Sequence, residues 1–391
     1  MIVTLTSKSG QASRSRGGWW CGFQLLTAAL CGLGLTAGAA QPETHWNLQS
    51  VTASGTSAWA GAPPFTVVGV LLTEPAEMLD STPNFQPVSA GLMGGEWQIT
   101  VQAALNGDRG GTTCWMGQNY AIRRPPFDDA FSYNNEAWTA EINRLNHDPA
   151  SGQVLHKGDL VAVTANRSLF FGGKRNINEA HDNDPAADFT ISLVVSNYGL
   201  PSPEVISLQS VMRTNDNNAA TTEDIFDATR ATGGEHWQGM RVRITSLTLV
   251  GTNGWDSAKL WDARKCTVTD SEGRYFTIRH PRYSLGPAPA GPFDAIGVFT
   301  QESGSGVQGT NGYELFVQQV AAAADPVLKI ASGVVISWPG SLANYRLLSA
   351  DSLTATNWTP VPNTPVTVDG QYTVSQDPAE ARQFYRLERV Q

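Results

Sequence analysis

Period-two alternation between short turn-rich breaks dominates the first half of the chain. In "EWQITVQAAL" (Glu96–Leu105) the apolar positions Trp97, Ile99 and Val101 alternate with polar ones, the spacing that sends successive side chains to opposite faces of a strand. "FTVVGVLLTEP" (Phe65–Pro75) reads as a strand before it and "GGTTCWMGQNYAI" (Gly110–Ile122) as a third after it. The period then changes. In "NNEAWTAEINRLNHD" (Asn134–Asp148), Trp138, Ile142 and Leu145 fall at i, i+4 and i+7, one apolar stripe of a helix. Alternation returns in "GDLVAVTANRSLFFGG" (Gly158–Gly173), where Val161 and Val163 share one face and Leu160 and Ala162 the other. Gly172–Gly173 reads as the bend from this fourth strand toward a fifth in "DFTISLVVSN" (Asp188–Asn197). Three strands, a helix and two strands is the order of an OB-fold, a five-stranded barrel.

"GLPSPEVISLQSV" (Gly199–Val211) interrupts the pattern, because Pro201 and Pro203 cannot continue a ladder. With the polar stretch after it, and a short helix near Asp224–Thr229, residues 199–235 read as a linker. A second β-unit follows over 236–322. Its strands are Gly239–Gly251, a hairpin over Lys259–His280 turned at "DSEG", Phe293–Gly304 and Tyr313–Val320. "SLGPAPAGP" (Ser284–Pro292) fills the helix slot and cannot be helical. This is a smaller OB-like barrel. Residues 327–391 hold short strands separated by Pro and Asp-Gly turns, the pattern of a small β-sandwich. The expected fold is therefore all-β: a barrel with one helix over 63–198, a second barrel, and a sandwich.

Composition agrees. Charged residues are 16% of 391, with 38 Gly, 22 Pro and 12 Trp, which suits an exported β-protein better than a helical one. The first forty residues have a basic start (Lys8, Arg14, Arg16), the apolar run "FQLLTAALCGLGL" and small residues at Ala37–Ala40. That is a signal peptide cut near Ala39 or Ala40. Residues 41–62 then form a leader. The expected location is secreted, periplasmic or at the cell surface. The exported chain keeps 23 Lys+Arg against 35 Asp+Glu, a formal charge of −12, which disfavours non-specific phosphate binding. It also keeps two cysteines, Cys114 and Cys266. One disulfide between domains and two buried thiols are both compatible with that pair.

The series "KGDLVAVTANRSLFFGGKRNI", "GLPSPEVISL" and "EHWQGMRVRITSLTLVG" resembles the tandem OB-like accessory region of bacterial extracellular nucleases. Gly158, Asp159, Val161, Val163 and Thr164 match its strand motif, Leu200, Pro201 and Pro203 its linker, and Gly239, Met240 and Val242 its last strand, over roughly residues 63–320. Those nucleases carry a metal-dependent phosphodiesterase domain after this region. Too few residues remain for one here, and no "GDFN"-like or "SDH"-like segment is present. The resemblance implies the barrels without the nuclease. "ISWP", "YRLLSADSL", "VDGQYTV" and "FYRL" resemble the C-terminal fibronectin-like sandwich of secreted bacterial proteins, which implies an attachment or spacer module.

Candidate chemistry is sparse. "FFGGKR" fails as a P-loop, since Ser168 and Arg175 stand where Gly and Ser or Thr are required. Lys174, Arg175 and Asn176, with the rings of Phe170, Phe171 and Trp115, form the candidate binding rim of the first barrel. Exposed rings on an OB-fold stack bases or sugars, and rings in strands also fill cores. Glu179, Asp182 and Asp184 in "NINEAHDNDPAAD" offer hard oxygens to Ca²⁺, without EF-hand spacing; otherwise no cofactor is expected. No nucleophile elbow or triad motif is found. The chain is therefore expected to be a non-catalytic binding or surface-interaction protein. A nucleic-acid-binding member of the nuclease lineage, an envelope spacer and a carbohydrate-binding protein are the alternatives.

Overall fold

A computed structural model describes residues 40–123, 127–178, 189–215, 218–304, 308–323, 329–331, 335–340, 342, 344–352, 354–368, 370–375 and 384–390. They fall into two compact units, 40–324 and 325–391. Both are built from strands, and the fold is all-β: two OB-like barrels and a C-terminal sandwich.

The first barrel begins with β1 (Gln41–Pro42), which lies parallel on β2 (Phe65–Leu71). The strand β2 runs antiparallel to β3 (Glu96–Ala103), and β3 to β4 (Gly111–Gly117). The helix Asn135–Leu145 follows, its first turn capped by the Asn134 side chain accepting from Ala137 N–H. Its buried Trp138 and Leu145 face the interior. Then come β5 (Leu160–Ala165), β6 (Leu169–Phe171), β7 (Lys174–Asn178) and β8 (Phe189–Val195). The sheet order is β6-β7-β4-β3-β2-β5-β8. Only residues 166–168 separate β5 from β6, so the chain itself links the two ends of the β7-β4-β3-β2-β5 run, and no strand pairing among the described residues closes it. Trp97, Ile99, Val101, Cys114, Met116, Val161, Val163 and Ile177 fill the interior from alternate positions. Both buried indoles find acceptors, Trp97 on Asn146 Oδ1 and Trp138 on Ser81 O, each at 2.9 Å.

The fifth barrel strand differs from the sequence expectation. It is β7, parallel to β4, and not the stretch near Asp188–Asn197, which supplies β8 on the far edge of β5. Gly172 and Gly173 both have positive φ (68° and 88°). That conformation suits a two-residue hairpin turn, and it returns the chain beside β4 at once.

In the second barrel β12 (Arg241–Leu249) pairs with β13 (Lys265–Thr269) and β15 (Phe293–Gln301). The strand β14 (Tyr275–Arg279) joins β13 to β16 (Tyr313–Ala322), and β16 pairs with β15, closing five strands into a ring. Residues 284–292 carry no helix. The region read as a linker is part of this barrel. After the prolines, β9 (Glu204–Ile206) pairs parallel with β12, and Leu208, Val211 and Met212 enter the second core. The strands β10 (Met212–Asn215) and β11 (Asn218–Asp224) form a hairpin. No helix forms at 224–229; a single helical turn occupies Gly233–His236 instead. The leader is likewise built in, with Leu48 in the first core.

The two barrels meet backbone to backbone. Gly111 N–H donates to Gln238 O at 3.0 Å, and a Cβ on Gly111 would stand 2.2 Å from Gly239 O. Gln102 Oε1 accepts from Arg241 N–H at 2.8 Å. A small shared core of Leu72, Met78, Val298 and Phe316 lies beside this seam. The disulfide alternative is overturned: Cys114 and Cys266 are free thiols. Alternation turns each into the core of its own barrel.

The C-terminal unit has two sheets. One orders β17 (Lys329–Ala331), β18 (Val335–Pro339), β22 (Gln371–Ser375) and β21 (Val366–Val368); the other orders β20 (Thr359–Pro360), β19 (Tyr345–Ala350) and β23 (Phe384–Arg389). Ile336, Trp338, Leu347, Val374 and Tyr385 pack between them. Among the described residues no helix is long and apolar enough to cross a membrane.

The seam makes a specific demand on glycine. Gly239 has φ +73 and a Cβ there would lie 2.5 Å from the Gly111 backbone, whereas Gly107 has φ +87 and open space. A left-handed residue alone costs about 1–2 kcal/mol. Gly107→Ala is expected to lose that much and Gly239→Ala clearly more, with the larger fall in thermal midpoint by circular dichroism. Equal losses would remove the seam's steric role.

Candidate functional site

The same alternation that fills the first core builds its outer face. On β3, Trp97, Ile99 and Val101 go inward and Gln98 outward; on β4, Cys114 and Met116 go inward and Trp115 outward. Register then aligns the outward residues in rows across three strands. Gln98 stands opposite Trp115, and Trp115 opposite Asn178. The next row holds Thr100, Thr113, Asn176 and Leu169. Above these rows lies a cleft of about 810 Å³. Leu79 and Met93 from the β2–β3 connection form one side, and Trp261, Asp262 and Glu302 of the second barrel form another wall.

Trp115 is the floor of this cleft. The outer ring atoms of its indole lie 3.0 Å from where a Cβ on Gly117 would stand, so this glycine lets the ring lie along the strand. Tyr120 meets it in a T-shaped contact at 5.5 Å. In the same row Gln98 and Asn178 are only 9% and 8% exposed, and Gln98 Oε1 and Asn178 Oδ1 have no hydrogen-bond partner among the described residues. Buried amide oxygens are ordinarily satisfied, so this row holds two unmet acceptors just beneath the cleft surface. Trp261 is fixed from behind: the Arg279 guanidinium lies 3.6 Å from its ring centroid and forks onto Glu314, with both Nη2 bonds at 2.9 Å.

The candidate rim from the sequence divides at the β6–β7 hairpin. Cross-strand partners share a face, so Leu169–Asn176 and Phe171–Lys174 turn to the cleft, and Phe170–Arg175 turns the other way. Phe171 is 46% exposed, while Phe170 is buried. Arg175 points toward the N-terminal segment, with Nη2 on Ser57 Oγ at 2.8 Å and its guanidinium 4.5 Å from the Trp59 ring. Lys174 reaches the cleft but is not a free cation. It is 4% exposed and bonds Gln301 O and Glu302 Oε1, the latter at 2.7 Å. The hairpin tip is pressed on the second barrel, for a Cβ on Gly173 would lie 2.2 Å from the Gln301 amide. That contact forces the lysine inward, where it needs a partner. Asn176 anchors the hairpin through Nδ2 on Phe171 O at 3.1 Å.

Glu179, Asp182 and Asp184 lie outside the described residues. Among the described residues no three His, Cys, Asp or Glu side chains gather as a metal site. Trp97 is fully buried core. Sequence reasoning did not single out Gln98 or Asn178, and it left Trp261, with Trp237 and Trp255, open between a stacking ring and a core ring. The alternation at 96–102 faces Gln98 outward, but no local signal marks that face as covered by another barrel.

A second polar cluster sits beside the seam and is structural. Glu235 is fully buried, accepts from Tyr313 Oη at 2.7 Å, and burial pushes its pKa up to about 7 despite Tyr313 and Arg230. Arg230 lies 3.7 Å from the Trp46 ring centroid and donates to Trp46 O. Arg109 forks onto Glu204 at 2.7 and 2.8 Å. His45, also buried, bonds Thr112 Oγ1 at 2.8 Å, and burial lowers its pKa to about 4. These two groups act on stability with opposite signs. Between about 4.5 and about 7 the unfolded chain loses a proton that folded Glu235 keeps, so its contribution falls as pH rises. Between about 4 and about 6.5 unfolded His45 holds a proton the fold excludes, so its contribution is lost as pH falls.

Glu235→Gln removes the first slope and keeps the second. The variant should gain stability relative to the wild type on going from about pH 5 to about pH 7, measured by urea unfolding at both. A difference that does not change with pH would show that Glu235 is ionised in the fold throughout. The chain matches no protein-family model, and it matches no curated protein.

Proposed function

We propose that the chain is an exported, non-catalytic binding protein whose ligand enters the cleft between its two barrels. One observation carries this reading: the outer face of β3, β4 and β7, exposed in a lone barrel, is roofed into a cleft with an aromatic floor and two unpartnered amide oxygens. Concave, largely pre-formed sites with a few placed polar groups are the usual setting for small ligands. Export rests on the basic, apolar and small-residue order of the first forty residues. The reading as non-catalytic rests on the lining, whose chemistry is that of rings, amides and paired charges.

The resemblance to nuclease accessory barrels favours nucleic acid as a second reading. The charges speak against it at this cleft. Three carboxylates, Glu96, Asp262 and Glu302, line it against one ammonium, Lys174, and that ammonium is held by Glu302. A polyanion gains affinity by releasing counterions to free cations, and this lining offers it none.

Two measurements test the reading. In fluorescence anisotropy, labelled single- and double-stranded DNA should not bind in the micromolar range even at low salt. A protein-observed NMR fragment screen should give hits that shift the Trp115 indole N–H signal. Micromolar DNA binding with a steep salt slope would install the second reading in place of the first, and a screen without hits at Trp115 would remove the cleft as a binding site.

A further inference from the structure

We infer that the ligand of this cleft is a neutral saccharide, laid on the Trp115 ring and held at its edges by Gln98 and Asn178. The inference rests on the reading of the cleft as a binding site and adds the ligand's chemistry.

A pyranose ring has one face of C–H groups and a rim of hydroxyls. The C–H face is weakly positive and complements the negative face of an indole. Each hydroxyl both donates and accepts. The row Gln98–Trp115–Asn178 presents the matching pattern. Neighbouring strands stand about 4.8 Å apart, so the two amides flank the indole one strand spacing to either side, the reach of hydroxyls on opposite edges of a stacked sugar. Their unpartnered atoms are oxygens, which call for O–H or N–H donors. Leaving such an acceptor unmatched is costly, and an amide that turns into the cleft to meet a ligand's hydroxyl relieves that cost.

The charge pattern narrows the donor to a neutral one. Two of the three cleft carboxylates face a lysine: Glu302 meets Lys174 at 2.7 Å and Asp262 meets Lys265 at 3.6 Å. A cationic ligand finds Glu302 engaged and Asp262 screened by water, and an anionic one meets carboxylates. A saccharide brings no charge to either. Phe171 and Leu169, exposed at the cleft margin, and Trp261 on the opposite wall supply further apolar surface for sugars beyond the first.

The test uses the full exported chain on an array of neutral oligosaccharides of glucose, mannose, xylose and N-acetylglucosamine, followed by isothermal titration with whichever is retained. At least one should bind with an affinity that is flat in salt. Trp115→Ala should weaken it at least tenfold, Trp115→Phe should restore part of the loss, and Asn178→Leu should weaken it without removing the stacking partner. Trp115→Phe and Asn178→Leu keep the test valid if Trp115→Ala fails to fold. No retained glycan, or binding indifferent to both Trp115→Phe and Asn178→Leu, overturns the saccharide. Retention that collapses with salt overturns it too, and assigns the cleft to a charged ligand. If fragments still report on Trp115 while no glycan binds, only the saccharide falls; if neither binds, the cleft falls with it.

Discussion

Two peptide backbones touch at Gly111 and Gly239, and the arrangement of residues 40–324 depends on that contact. Side chains normally hold packed domains some distance apart. Here the absence of Cβ atoms lets the start of β4 meet the entry to β12 directly, with Gly111 N–H bonded to Gln238 O. Once the backbones touch, the neighbouring groups are committed. Gln102 must meet Arg241 N–H, Met78 and Leu72 must meet Phe316 and Val298, and the β6–β7 hairpin must press on Gln301. The charged groups caught in the seam reach hydrogen-bond acceptors. Lys174 takes Glu302, and Arg264 donates to His280 O and Met78 O.

The cleft is a by-product of this geometry. An OB-like barrel alone presents the outer face of its β3, β4 and β7 to water. The second barrel roofs that face with Trp261, Asp262 and Glu302 and leaves a gap wide enough to hold a ligand. On the proposed reading, the resemblance to nuclease accessory barrels concerns the scaffold, and the ligand follows from the lining. The lysine of "FFGGKR", read as part of the binding rim, is a tie between barrels.

Much of the fold was legible because the signals are local. Alternation at Trp97, Ile99 and Val101 gave β3 its inner face, the stripe of Trp138, Ile142 and Leu145 placed the helix, and "DSEG" turned the β13–β14 hairpin. The fifth strand of the first barrel was not legible. "KRNIN" is polar, and it becomes a strand only because β4 offers an edge and two left-handed glycines turn the chain back. The linker failed for a related reason. Pro201 and Pro203 do stop a ladder, but β9 begins after them and pairs with a strand some forty residues away, and pairing at that distance leaves no local trace. Of the rim residues, Trp115, Phe171, Lys174 and Asn176 share the face toward the cleft, and period two on a hairpin of known turn length separates them from Phe170 and Arg175. Gln98, Asn178 and Trp261 needed the second barrel's position, which no short stretch encodes.

Trp261 carries a last consequence. Its ring is held on one side by Arg279, itself forked onto Glu314, and packs against Phe316 at 5.4 Å. This ring therefore has little rotamer freedom left to lose when something settles against it. Ordering side chains is a main cost of association, and here it is met during folding. Moving the ring gives up its contacts with a buried guanidinium and with Phe316, so on the proposed reading the cleft selects its ligand by shape.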